Sequence, residues 1–124
     1  MNYFTSYYAM ARRFDPSRYL LVSISRGVPS GFTGYRVYEF APSSSILSDY
    51  RDTNDDATYM VRYENEVLKK CDTPSVLHRI SEAAHGRDVV FMCYEGTNKF
   101  CHRHLLAAWL NYHYNLKVTE FQFN

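Results

Sequence analysis

The chain has 124 residues, 46% of them apolar, and a net charge of +1 from 14 basic and 13 acidic side chains. A chain of this length buries roughly two-thirds of its unfolded surface, so disordered, collagen-like and coiled-coil architectures are excluded. The near balance of charge excludes a protein that coats bulk duplex DNA.

The aromatic content is high at 17%, with 12 Tyr, 8 Phe and one Trp. So many tyrosines cannot all be core, because each buried hydroxyl needs a partner. Cys71, Cys93 and Cys101 lack the spacing of a disulfide scaffold, and Met1-Asn2-Tyr3-Phe4 does not open a signal peptide. A cytoplasmic setting is expected. The apolar run from Leu105 to Leu110 is far short of the ~20 residues that span a bilayer, so no membrane is implied.

With no repeat or linker in view, residues 1–124 read as one α/β domain. Residues 1–5 form a first strand, and Ser6 caps a short helix through Phe14, ended before Pro16. Tyr19 to Ser25 is an apolar run bounded by Pro16 and Gly27, a buried strand expected beside the first. An irregular connection follows, with a short edge strand at Tyr35 to Tyr38. The Pro42-Ser43-Ser44-Ser45 segment caps a turn through Ile46, Leu47 and Tyr50.

A helix behind Asp52-Thr53-Asn54-Asp55 is expected to bury Ala57, Met60, Val61, Val67, Leu68 and Cys71. Thr73 with Pro74 opens the next helix, whose apolar face is Val76, Leu77, Ile80, Ala83 and Ala84, with Gly86 as its stop. Asp88 to Cys93 is a continuous apolar strand, followed by a polar turn over residues 95–99 and a helix over Cys101 to Leu110. Leu116 to Phe121 alternates like an outer strand. This alternation predicts a Rossmann-like fold: a small, mostly parallel sheet flanked by helices, with a ligand at the C-terminal edge of the strands.

That edge collects Thr5, Ser6 and Tyr7 from the first strand, Ser25 and Arg26 from the second, and Tyr94 and Glu95 after Cys93. Cys101, His102 and Arg103 begin the helix beyond. A helix N-terminus favours anions and lowers the pKa of a thiol placed there. With Arg26 and Arg103 nearby, an anionic ligand such as a phosphate is expected, the alternative for Arg103 being a surface pair with Glu95 or Glu120. Of His102 and His104, two apart and so on different faces, His102 is the one expected at the pocket. Cys-x7-Cys-His-x-His lacks the short ligand spacing of zinc sites, so no metal is assigned, although Cys93 and Cys101 can pair as a disulfide. Neither a Walker motif nor G-x-G-x-x-G occurs, and no cofactor is assigned.

Val90-Phe91-Met92-Cys93-Tyr94-Glu95, followed by Cys101-His102-Arg103, resembles the signature of the family known as domain of unknown function 488. There an apolar strand ends in Cys-x-Glu and a Cys-His-Arg triplet opens the next helix. Tyr3-Phe4-Thr5-Ser6-Tyr7, Ser23-Ile24-Ser25-Arg26-Gly27-Val28-Pro29 and Phe40-Ala41-Pro42-Ser43 are similar to short bacteriophage and bacterial members. Thr5-Ser6-Tyr7 stands where larger members carry Gly-His-Ser. The resemblance implies a Rossmann-like α/β fold with a pocket, and no particular reaction.

The expected function is therefore binding of a phosphorylated or nucleotide-like ligand at the sheet edge. Thr5, Ser6, Tyr7, Ser25, Arg26, Tyr94, His102 and Arg103 would hold it, and Glu95 and Cys101 would carry any chemistry. Two alternatives stay open. One is a non-catalytic phage-type protein that sequesters a nucleotide signal or blocks a host defence protein, in the host cytoplasm. The other is thiol or persulfide transfer through Cys101. Tyr3, Tyr7, Tyr8 and Tyr94 are placed near the ligand edge, whereas Tyr59, Tyr63, Tyr112 and Tyr114 are assigned to packing or a homodimer interface.

Overall fold

In the computed structural model, which describes residues 1–96 and 100–124, the sheet is built from β1 (Tyr3–Tyr7), β2 (Tyr19–Ser23), β3 (Tyr35–Arg36), β4 (Asp88–Cys93) and β5 (Thr119–Glu120). Every pairing is parallel, and the order is β3-β2-β4-β1-β5. β4 holds the centre because Val89 to Cys93 form an unbroken apolar run, which only a strand covered on both faces can bury. The expectation that β2 lies beside β1 is corrected, since β4 separates them. The polar turn expected over residues 95–99 falls partly on 97–99, outside the described residues.

The connection from β1 to β2 crosses the sheet in the opposite direction from those leading to β4 and β5. Crossovers of one hand must then occupy opposite faces. Accordingly a short 3₁₀ helix, Tyr8–Arg13, lies over Val90 and Met92, while all the longer helices pack over Val89, Phe91 and Cys93. These are α1 (Ser44–Thr53), α2 (Asp56–Arg62), α3 (Thr73–Ala84) and α4 (His102–Tyr114).

Several helix starts differ from expectation by a residue or two. Ser6 is part of β1, and Tyr7 precedes the 3₁₀ helix with no side-chain cap. Asp72 caps α3 by accepting the Ser75 N–H, so Thr73 is already helical. The helix expected behind Asp52 is divided, because α1 runs on to Thr53 and ends with Asn54 in the left-handed region (φ 52°). Asp55 then starts α2 by accepting the Thr58 N–H at 3.2 Å.

α2 continues into a π-helical segment, Tyr63–Leu68. The wider turn inserts one residue into the helical repeat, which aligns Tyr59, Tyr63 and Leu68 on the buried side. Met60 and Val61, expected in the core, are left 44% and 58% exposed.

With the helices gathered on one face, the other is sealed by aromatic rings. Phe14 meets Tyr19, Phe121 and Phe123 edge-on at 5.3, 4.8 and 5.2 Å between ring centres. Phe4 joins through Phe121 at 5.0 Å, and the Arg13 guanidinium stacks on Phe123. Phe14→Ala is expected to cost about 3–5 kcal/mol in chemical denaturation, as removal of a buried ring does. Tyr112→Ala, at a site 85% exposed, should cost less than about 0.5 kcal/mol.

Candidate functional site

At the C-terminal ends of β2 and β4, on the helix side of the sheet, lies a cavity of about 270 Å³. Ser25, Arg26 and Gly27 come to it from the end of β2. Cys93, Tyr94 and Glu95 come from the end of β4, and Cys101 and His102 from the start of α4. Tyr50, Tyr59 and Phe100 supply an aromatic wall. The cavity adjoins a wider depression that shares Arg26, Tyr50, Glu95 and Phe100 and adds Arg51 from α1 and Asn54, which follows it. The space is a consequence of topology, because the chain leaves β2 and β4 toward different neighbours and cannot close the gap between them.

Six of the ten sequence-selected residues line the cavity: Ser25, Arg26, Tyr94, Glu95, Cys101 and His102. Thr5, Ser6, Tyr7 and Arg103 do not, because β4 lies between β1 and β2. Thr5, Tyr7 and Arg103 belong to a separate arrangement on the far side of β4, whereas Ser6, buried beside Met92 in the strand register, takes no part in it.

Arg103 is fully buried, and its guanidinium is the centre of that arrangement. Nε and one terminal nitrogen grip the Glu120 carboxylate at 3.0 and 2.9 Å. The other terminal nitrogen donates to Cys93 Sγ at 3.1 Å and to the Glu95 carbonyl, and a longer bond reaches the Gly96 carbonyl at 3.4 Å. The Thr5 hydroxyl donates to Glu120 at 2.5 Å, and the Tyr7 ring lies under the guanidinium at 5.5 Å. An arginine has five N–H donors, and the five contacts occupy them. The cation expected at the anion is therefore a buried structural group. Burial by itself would raise the Glu120 carboxyl, but the hydrogen bonds from Arg103 and Thr5 outweigh it and hold the group below its ordinary range.

His102 is buried at the cavity floor, with Nε2 2.6 Å from the Ile24 carbonyl. A carbonyl only accepts, so Nε2 carries the proton and Nδ1 keeps its lone pair, facing Cys101 Sγ at 3.9 Å. Burial lowers the imidazole pKa to about 4, the Ile24 bond opposing and the Arg103 charge assisting. Cys101 precedes α4 with no side-chain cap and is joined to Cys93 by a disulfide, so it offers no free thiol in this form. His104 is exposed on another face of α4.

Ser25 belongs to a buried hydroxyl group that the sequence did not single out. The Tyr8 hydroxyl lies 2.7 Å from Ser23 Oγ and 2.6 Å from Ser25 Oγ, and Ser25 donates to the Gly27 carbonyl at 2.5 Å. Tyr94 packs edge-on against Tyr8 at 4.7 Å and is 52% exposed. Tyr59 packs in the core as expected and in addition forms part of the cavity wall, and burial raises the pKa of its hydroxyl. Tyr3 is corrected: it begins β1, away from the edge, and stacks on Phe91. Arg51 was also missed, whereas Glu120 is the carboxylate that the alternative reading of Arg103 named, in a buried rather than a surface pair. The period of the last strand carried a signal for Glu120, which shares the inward side with buried Val118 where a carboxylate needs a partner.

Two outcomes follow from this geometry. Arg103→Ala should lose about 3–5 kcal/mol in denaturant titrations, because it leaves Glu120 partly buried without its cation, and Arg103→Lys should not restore the two-point grip. For His102, the folded pKa of about 4 lies below the ordinary value of about 6.5, so the unfolded chain takes up the proton first. Its contribution of about 3 kcal/mol is complete above pH ~6.5 and is lost as pH falls toward 4. The stability–pH slope in that window should flatten in His102→Gln.

No curated protein and no solved structure matches the chain. A family model described as DUF488-N3a, the active DUF488-N3 subclade, matches residues 7–114. Because the match runs from the end of β1 to the end of α4 and takes in every residue lining the cavity, the chain belongs to the DUF488 family, in its active DUF488-N3 subclade.

Proposed function

We propose that the protein binds a nucleotide-like small molecule, an aromatic ring carrying phosphate, in the cavity between the ends of β2 and β4. The observation that carries this reading is the pairing of an aromatic wall with cations at one opening. Tyr50, Tyr59, Tyr94 and Phe100 offer ring faces and edges to a base, while Arg26 and the adjoining Arg51 offer donors to phosphate. Arg103 and Thr5 are left out of the ligand set, since both are occupied with Glu120.

Glu95 stands at the cavity as general base or as acceptor for a sugar hydroxyl. Cys101 becomes a nucleophile once its bond to Cys93 is reduced. The description of the subclade as active supports turnover over simple sequestration of a nucleotide signal. A reducing cytoplasm, that of a host if the chain is phage-borne, would supply the free thiol. The Cys93–Cys101 pair favours a second reading, persulfide transfer. In it the reduced Cys101 thiolate takes the outer sulfur of a persulfide donor, whose thiolate leaves, and attack of the Cys93 thiolate on Cys101 Sγ closes the disulfide and releases hydrosulfide.

A thermal-shift series with nucleoside mono-, di- and triphosphates, sugar phosphates and cyclic dinucleotides tests the principal reading. Stabilisation by at least one nucleotide is expected, with affinity about tenfold or more lower in Arg26→Ala, the worth of one charge-assisted contact. No stabilisation by any phosphate compound, or full retention in Arg26→Ala, counts against it. Turnover abolished in Glu95→Gln would identify an enzyme, and intact ligand recovered after long incubation would identify a sequestering protein.

A further inference from the structure

Cys93, Cys101 and His102 come from two elements that the sequence separates, yet their ligand-capable atoms all lie within 4.8 Å of one another, and all three residues are buried. The Cα atoms of the cysteines stand 7.3 Å apart. That is wider than residues joined directly by a disulfide usually are, and it leaves room for an atom between the sulfurs when they are reduced.

His102 is already set as a metal-binding histidine would be. Its Nε2–H is committed to the Ile24 carbonyl at 2.6 Å, so the free Nδ1 lone pair is turned to Cys101 Sγ at 3.9 Å. Backbone carbonyls serve this orienting purpose for ligating histidines generally. The Tyr63 ring, edge-on at 5.5 Å, further fixes the imidazole plane. Cys93 has an outer partner as well, the Arg103 N–H at 3.1 Å, which favours its thiolate.

With metal–sulfur bonds of about 2.3 Å and metal–nitrogen bonds of about 2.0 Å, neighbouring ligand atoms of a tetrahedral centre stand roughly 3.5 Å apart. The Nδ1–Sγ spacing is already close to this, and the two sulfurs must part once their bond is reduced.

We propose that the reduced protein binds a zinc-type divalent cation through Cys93 Sγ, Cys101 Sγ and His102 Nδ1, with the fourth position open to the cavity. Two thiolates and one imidazole suit zinc and its close analogues. Three protein ligands with one open position are the pattern of sites that act on a bound water or substrate, whereas closed sets of four are structural. The same three residues line the cavity beside Glu95 and Tyr94, so the open position faces whatever ligand enters. The paired spacing that marks zinc sites in a sequence is missing because the strand end and the helix start bring the ligands together. Disulfide formation and metal binding use the same two sulfurs and exclude each other.

The test is titration of the chelator-treated protein with cobalt(II) after reduction by a water-soluble phosphine. The phosphine takes oxygen from water to become the phosphine oxide, and the cysteines become two thiols. Metal binding then releases their protons. The expected result is one cobalt per chain with thiolate-to-cobalt charge-transfer and tetrahedral d–d absorption, displaced by equimolar zinc and absent from the oxidised protein.

Cys101→Ser and His102→Gln should each weaken binding by at least about tenfold, the loss already seen when outer partners of a metal ligand are removed. Cys71→Ser should leave it unchanged. Oxidised wild-type protein provides a folded comparison of identical sequence. The proposal is overturned if the reduced chain shows no thiolate band or a six-coordinate spectrum, or if either ligand variant retains wild-type affinity. Nucleotide stabilisation measured on reduced, metal-free protein reports on the cavity reading separately, so the two can fail independently.

Discussion

The buried pair of Arg103 and Glu120 is the contact on which the sheet edge depends. A guanidinium taken wholly out of water is costly unless each donor finds an acceptor and the charge finds a partner. Here the acceptors come from several chain segments: Glu120 of β5, Cys93 at the end of β4, and the carbonyls of Glu95 and Gly96. Thr5 of β1 completes the carboxylate. Satisfying one arginine therefore brings the ends of β1, β4 and β5 to the first turn of α4. The last strand, two residues long, has few ladder bonds of its own, and this pair ties it down.

The cavity inherits its geometry from that contact. Because Arg103 holds the backbone at Glu95 and Gly96, the Tyr94 and Glu95 side chains leave the end of β4 from a fixed position. Because Arg103 is the second residue of α4, its neighbours His102 and Cys101 are carried to the opposite side of β4, beside Ser25 and Arg26. One helix start thus serves two regions, with a charged pair on the β1 side and an aromatic-walled cavity on the β2 side. The proposed metal ligands lie on the boundary, since Cys93 accepts from Arg103 and also faces Cys101.

The aromatic surplus has three placements. Phe4, Phe14, Tyr19, Phe121 and Phe123 close the sheet face that lacks long helices, edge-to-face packing giving area and directional contact together. Tyr63 fills the core, its hydroxyl satisfied by the Phe40 carbonyl at 2.6 Å. Tyr50, Tyr59, Tyr94 and Phe100 form the cavity wall. Tyr8 joins two placements, with its ring in the second core and its hydroxyl on Ser23 and Ser25.

Local chemistry was enough to read the parallel α/β class, the continuous apolar strand Asp88–Cys93, helix α3 and the convergence of Ser25, Arg26, Tyr94, Glu95, Cys101 and His102. Unbroken apolar runs, proline at a helix start and strand–helix alternation act over a few residues and survive in the linear text. Strand order, the complete burial of the Arg103–Glu120 pair and the inclusion of Tyr59 in the cavity belong to the tertiary structure alone. Each joins groups whose separation in sequence says nothing of their distance in space. Each also turns on a competition, between β1 and β4 for the neighbourhood of β2 or between ligand and carboxylate for a guanidinium, which only the folded chain resolves.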